Sequence, residues 1–250
     1  MPPEHSNHET ADVKTQDGVC PVHTFAPSRP GRWPGVVLFM DAPGVRVALF
    51  EIAERLSRAG YVVVVPDLYY RSGYQAPPDG TLFTDPVKRS HWNEQILPTL
   101  SVANVMRDMP ALLAHLDART DVRPGPIGLT GYCLGGRLAL AAAGHFPDRV
   151  AAVASYHGGR LATDAPDSPH RLAPKIKARV YVGGASHDAS FDDEQKARLE
   201  AALTEANVDH RIETYDARHG WVPSDTAAHD VAAAECHWET LLALFRETLG

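Results

Sequence analysis

Short runs of β-branched and apolar residues alternate along the chain with longer stretches in which apolar positions recur every three or four residues. That alternation predicts the α/β class, a mostly parallel sheet with helices on both faces. Val36 to Met40 and Tyr61 to Val65 are apolar throughout, as strands buried on both faces must be. Between them Leu49, Ile52, Ala53 and Leu56 share one helical face over residues 47–58, with Gly60 as the stop. A second helix is predicted over 100–118, its stripe made by Val105, Met109, Leu112, Leu113 and Leu116, with Pro110 as a local irregularity. Further strands are predicted over 127–130, 150–155, 179–184 and 209–215, and further helices over 193–206 and 226–248. In the last helix Val231, Trp238, Leu241, Leu242 and Phe245 form an apolar face for packing. Residues 71–98, rich in proline, aspartate and glycine, show no clear period and read as a partly helical cover over a site or as a surface loop. No repeat, heptad or linker interrupts the series, so residues 1–250 are expected to form a single domain, with about the first dozen residues loose.

Composition narrows the function. A net charge of -7 lacks the clustered basic surface that a phosphate backbone requires, which excludes nucleic acid as the expected partner. No apolar run approaches the roughly 20 residues of a membrane span, and the polar start Met1 to His8 has no signal-peptide hydrophobic stretch. The expectation is a cytoplasmic protein, monomeric or a small homo-oligomer, without a membrane partner. Cys20, Cys133 and Cys236 are scattered and fit a reducing compartment rather than a disulfide framework or a structural zinc site. The 13 histidines lie singly and no H-E-x-x-H occurs, so no metal and no other cofactor is expected.

Candidate chemistry starts at Gly131-Tyr132-Cys133-Leu134-Gly135-Gly136, the G-x-S-x-G elbow pattern with cysteine in the nucleophile position. Pro126 to Thr130 before it reads as a buried strand and Arg137 to Ala143 after it as a small-residue helix, the context the motif needs. The glycines at 131 and 135 are expected to remove side chains that would collide with the strained nucleophile. The helix start beyond Cys133 favours a thiolate. In open α/β sheets ligands bind outside the carboxyl ends of the strands, which directs the search to the loops after Met40, Val65, Thr130, Ser155, Gly184 and Tyr215. Those loops hold Asp188 and His219, so Cys133, Asp188 and His219 run nucleophile, acid, base in the chain order of α/β-hydrolases. Asp192 and Asp193 are rival acids.

With these residues in hand the chain resembles the dienelactone hydrolase family, from about Val36 to the C-terminal helix. The resemblance rests on the GYCLGG elbow, the strand from Ala59-Gly60-Tyr61 to Pro66-Asp67-Leu68-Tyr69, the Asp188 loop, and His219-Gly220 before an aromatic residue. It implies an α/β-hydrolase fold without metal or organic cofactor, and hydrolysis of lactones or small activated esters through an acyl-enzyme on Cys133 with Asp188 and His219. It also implies a carboxylate that meets the resting thiol, here Asp41 where the family has glutamate, and an oxyanion hole from the N–H groups of Ala42 and Leu134. Members acting on dienelactone bind its carboxylate with arginines, one soon after the histidine-glycine pair. Here that stretch is Trp221-Val222-Pro223-Ser224, so Arg71, Arg89, Arg160 and Trp221 become the candidate substrate contacts. A thioesterase or general carboxylesterase would use the same triad, and a non-catalytic or redox-sensing binding protein is the rival from another class.

Overall fold

The computed structural model describes residues 6–75, 82 and 84–250. Its strands are β1 (Ser6–Lys14), β2 (Val19–Pro27), β3 (Gly35–Phe39), β4 (Val62–Pro66), β5 (Ile127–Tyr132), β6 (Val150–Tyr156), β7 (Arg179–His187) and β8 (His210–Arg218). They form one eight-stranded sheet in the order β1-β2-β4-β3-β5-β6-β7-β8. β4 through β8 are joined by parallel ladders, whereas β1 and β2 form an antiparallel hairpin that adds to the edge at β4. β3, β4 and β5 are buried along their whole length, which is why they are the apolar runs of the sequence.

The helices are α1 (Val47–Arg58), α2 (Pro86–His91), α3 (Val102–Asp117), α4 (Leu134–His145), α5 (Asp193–Glu205) and α6 (Val231–Leu249). α1 and α6 share one face, tied by the Arg55–Glu235 ion pair at 2.7 Å and by Arg55 lying over Trp238. α3 and α4 pack together on the other face, and a 3-10 turn, Pro169–Lys175, connects α4 with α5 by contact. Pro110 sits inside α3 without ending it; its side is exposed, away from the buried stripe.

Three expectations change. Residues 6–12, expected to be loose, form most of β1 and pair in register with β2 from Ser6↔Pro27 to Lys14↔Val19. β1 lacked a signal because it is a polar edge strand, with Val13 its buried apolar residue. The last helix starts at Val231 rather than near 226, because the Asp230 carboxylate accepts the Ala233 N–H and caps it there. The described part of 71–98 is helical near its end: Asp85 caps α2, a π-helical turn follows at Trp92–Ile96 and a 3-10 turn at Leu97–Thr99. Residues 1–5, 76–81 and 83, which include parts of the expected loose terminus and cover, lie outside the described residues.

Candidate active site

The elbow lies at the carboxyl end of β5, near the middle of the sheet. Cys133 holds φ 56 and ψ -122 at the position capping α4, a left-handed conformation that is costly for a residue with a side chain. The glycines serve a different purpose from the expected one. A Cβ on Gly131 would strike the Gly135 carbonyl, and one on Gly135 would strike the carbonyl oxygens of Phe39 and Met40, the latter at 2.5 Å. The collisions are of backbone with backbone, so the tightness of the turn, not room around the sulfur, requires glycine. The same contact seats the elbow against the end of β3, where Asp41 and Ala42 follow.

Strand register brings the acid and base together. His187 pairs with Arg218 across β7 and β8, so Asp188 and His219 leave adjacent strand ends side by side. His219 Nδ1 lies 2.7 Å from Asp188 Oδ2. Asp188 Oδ1 accepts both the Ser190 hydroxyl at 2.6 Å and the Ser190 N–H at 2.8 Å, leaving its side chain 3% exposed. Of the rival acids, Asp192 is used as the cap of α5, accepting the Gln195 N–H, and Asp193 pairs with Lys196 in the first turn. With Nδ1 taken by Asp188, the other nitrogen of His219 is left free to serve Cys133, whose charge helps to raise the ring.

The electrostatics follow from these partners. Burial opposes charge on the His219 ring, but the hydrogen bond to Asp188 and the pull of Asp188 and Cys133 more than offset it and push the ring up to about 10. Burial also works against the Asp188 carboxylate, yet the bonds from His219 and Ser190 hold it below its ordinary value. Asp41 is nearly buried, and burial raises its carboxyl in spite of Arg46. Arg46 donates to both oxygens of Asp41, at 2.5 and 3.0 Å, and to both of Asp225, at 2.6 and 2.9 Å. Asp41 therefore answers to an arginine, which the sequence reading had not singled out. Next to it, the Tyr69 hydroxyl donates to the Ala42 carbonyl at 2.8 Å and accepts from Trp92 Nε1 at 3.2 Å. This chain of bonds links the Pro66-Asp67-Leu68-Tyr69 motif and the Trp92–Ile96 turn to the loop carrying the Ala42 N–H. Leu134, the other expected oxyanion donor, is the first residue of α4.

Two of the expected substrate contacts do not hold. Trp221 has no exposed surface and stacks on Tyr215 at 5.0 Å, so it belongs to the core under the site. Arg71 is committed at all three guanidinium nitrogens, to Asp17 and to the buried Asp108 of α3, and a substrate carboxylate would have to displace both. Arg89 is exposed on α2. Arg160 is exposed, and its backbone N–H donates to the Ser190 carbonyl in the acid loop at 2.6 Å. One residue passed over in the sequence stands beside the nucleophile: His157, directly after β6, accepts the Cys133 N–H on Nδ1 at 3.1 Å. Its signal was positional, since Tyr132 pairs with Tyr156 and the next residues of both strands must be neighbours.

Comparison with known proteins gives the family and the fold. Residues 21–249 match the family described as "Dienelactone hydrolase family". A Synechocystis sp. protein named "Putative carboxymethylenebutenolidase" is 28% identical over 251 residues, covering 96% of this chain and 99% of the relative. A Klebsiella pneumoniae crystal structure described as "Putative Dienelactone Hydrolase" superposes with a TM-score of 0.82 at 24% identity, covering 96% and 98% of the two chains. A dienelactone hydrolase-like promiscuous phosphotriesterase from metagenomic libraries superposes at 0.78 with 22% identity, covering 98% and 99%.

Proposed function

The chain belongs to the dienelactone hydrolase family, hydrolases acting on ester and lactone bonds, and from that premise we propose that it cleaves lactones or small activated esters through an acyl-enzyme on Cys133. The observation that carries the reading is His219 held at 2.7 Å by Asp188, its ring raised by Asp188 and by the Cys133 elbow. A ring raised to about 10 is a ready acceptor for the thiol proton, so His219 takes that proton as the sulfur attacks.

The sulfur attacks the carbonyl carbon and the developing oxyanion takes the N–H groups of Ala42 and Leu134, each worth about 3 kcal/mol in comparable sites. Collapse expels the alkoxide or enolate, which takes the proton from His219 and leaves a thioester on Cys133. Acylation takes the sulfur's charge away from His219, so the ring falls from its resting value and is neutral, ready to accept a proton. Neutral His219 then takes a proton from water as the water attacks the thioester. The second tetrahedral intermediate releases the acid and restores Cys133 and His219. Asp41, compensated by Arg46, acts as a fixed carboxylate beside this centre, and Arg160 is the arginine we assign to an anionic substituent of the substrate.

Initial rates on cis- and trans-dienelactone, p-nitrophenyl acetate and an acyl thioester, with wild type and Cys133→Ala, test the reading. Hydrolysis led by the lactones and abolished in Cys133→Ala supports it. Preference for thioesters would move the substrate class while keeping the mechanism, and turnover surviving in Cys133→Ala would refute the acyl-enzyme.

A further inference from the structure

We propose that His157 is a positioning residue for the nucleophile, its Nδ1 accepting the Cys133 N–H and holding the elbow in its left-handed turn; this rests on Cys133 being the nucleophile. The Cys133 N–H lies at the end of the β5–β6 ladder, 3.2 Å from the Tyr156 carbonyl and 3.1 Å from His157 Nδ1. Cys133 sits at φ 56, a conformation that persists only where the surroundings impose it, and an acceptor on its N–H from the neighbouring strand end is such a restraint. His157 is itself anchored. Its N–H donates to the Gly183 carbonyl at 2.8 Å, its φ is 39, and its side chain has no exposed surface. The ring stands edge-on to Trp221 at 4.9 Å and to His219 at 5.2 Å.

Accepting on Nδ1 places the ring proton on Nε2, and there it finds no partner among the described residues. A side chain that only filled the space would be better apolar, because a buried donor without an acceptor is destabilising. The imidazole is accounted for by what its other nitrogen does. The groups facing it are Cys133, Tyr132, Trp221, His219, His237 and Asp188. Burial first, then the neighbouring His219 and His237, hold His157 well below the ordinary imidazole value, against the opposite pull of Asp188. Two imidazoles 5.2 Å apart thus divide the work: His219 carries the mobile proton and His157 stays neutral, keeping a lone pair for the backbone.

The amides of asparagine and glutamine separate the two ring nitrogens. His157→Asn can set an oxygen where Nδ1 stands and tolerates positive φ, while His157→Gln reaches the Nε2 position and leaves the Cys133 N–H without this acceptor. On p-nitrophenyl acetate, His157→Gln is expected to lose roughly 10- to 100-fold in kcat with KM nearly unchanged, and His157→Asn to stay within about threefold of wild type. The rate of Cys133 carbamidomethylation by iodoacetamide, followed on the Cys133 peptide, needs no turnover and is expected to rank the proteins in the same order. Equal losses in both variants, or the reverse order, overturn the proposal. If ester turnover is absent in wild type while the alkylation order holds, the hydrolase reading fails and the positioning role stands. Should either variant not fold, ¹⁵N-histidine NMR of the wild-type protein decides: His157 neutral, with a hydrogen-bonded, unprotonated Nδ1 near pH 7, supports the proposal, and a protonated Nδ1 overturns it.

Discussion

Replacing Asp188 by asparagine tests the triad more sharply than deleting it. Asp188 Oδ1 is pinned by two donors, the hydroxyl and N–H of Ser190, so in Asp188→Asn the amide oxygen must keep that place. The NH2 group then occupies the position of Oδ2, 2.7 Å from His219 Nδ1, and donates where the carboxylate accepted. His219 is forced to carry its proton on the nitrogen facing Cys133, the wrong tautomer for a base. The charge lost with the carboxylate adds to this. Moving His219 from 6.5 to about 10 corresponds to about 5 kcal/mol of preference for the charged ring. Allowing for water at the 32% of the side chain that is exposed leaves about 4 kcal/mol. Asp188 stands first among the groups that raise the ring, and losing its charge is expected to cost about a hundredfold in rate. Recovering the competent tautomer against the new hydrogen bond adds about another tenfold. The expected loss in kcat/KM on p-nitrophenyl acetate is about a thousandfold. Asp188→Ala, which removes the charge but dictates no tautomer, should be about tenfold milder. Asparagine retaining more than about a tenth of wild-type activity would refute the tautomer argument.

Other consequences are open to measurement. The raised His219 ring contributes stability that is fully present below its unfolded value of 6.5 and is lost as pH rises through about 10. The urea midpoint of wild type should therefore exceed that of His219→Gln by more at pH 7 than above pH 10, and a gap widening with pH would contradict the assignment. Gly135→Ala drives a Cβ into the Phe39 and Met40 carbonyls of a buried strand end. It is expected to lower stability by about 1–3 kcal/mol in urea unfolding and to abolish ester turnover, because the elbow itself must shift. Arg46→Gln leaves Asp41 buried without its cation. The expected loss is about 3 kcal/mol, and thermal unfolding within about a degree of wild type would show the pair to be dispensable.

Strands buried on both faces must be apolar end to end, and helices lying on a sheet must repeat their apolar positions at helical spacing. For this reason β3 to β7 and the helices α1, α3, α5 and α6 were legible in one dimension, as was the elbow by its motif, although the collision that requires Gly135 is with the distant end of β3. The identity and chain order of Cys133, Asp188 and His219 were legible too, because strand ends lead to loops. What depended on contacts distant in sequence was not legible. β1 is polar and owes its existence to pairing with β2. Trp221 and Arg71 read as available side chains until packing closed over one and Asp17 and Asp108 claimed the other. Arg46, which bridges Asp41 and Asp225, stands 179 positions from Asp225. His157 beside Cys133 and Asp188 beside His219 follow from strand register, a relation between chains of residues that no local pattern encodes. Local sterics and burial periodicity are written residue by residue, whereas the partners of a buried charge or ring nitrogen are chosen only when the sheet brings distant strand ends together.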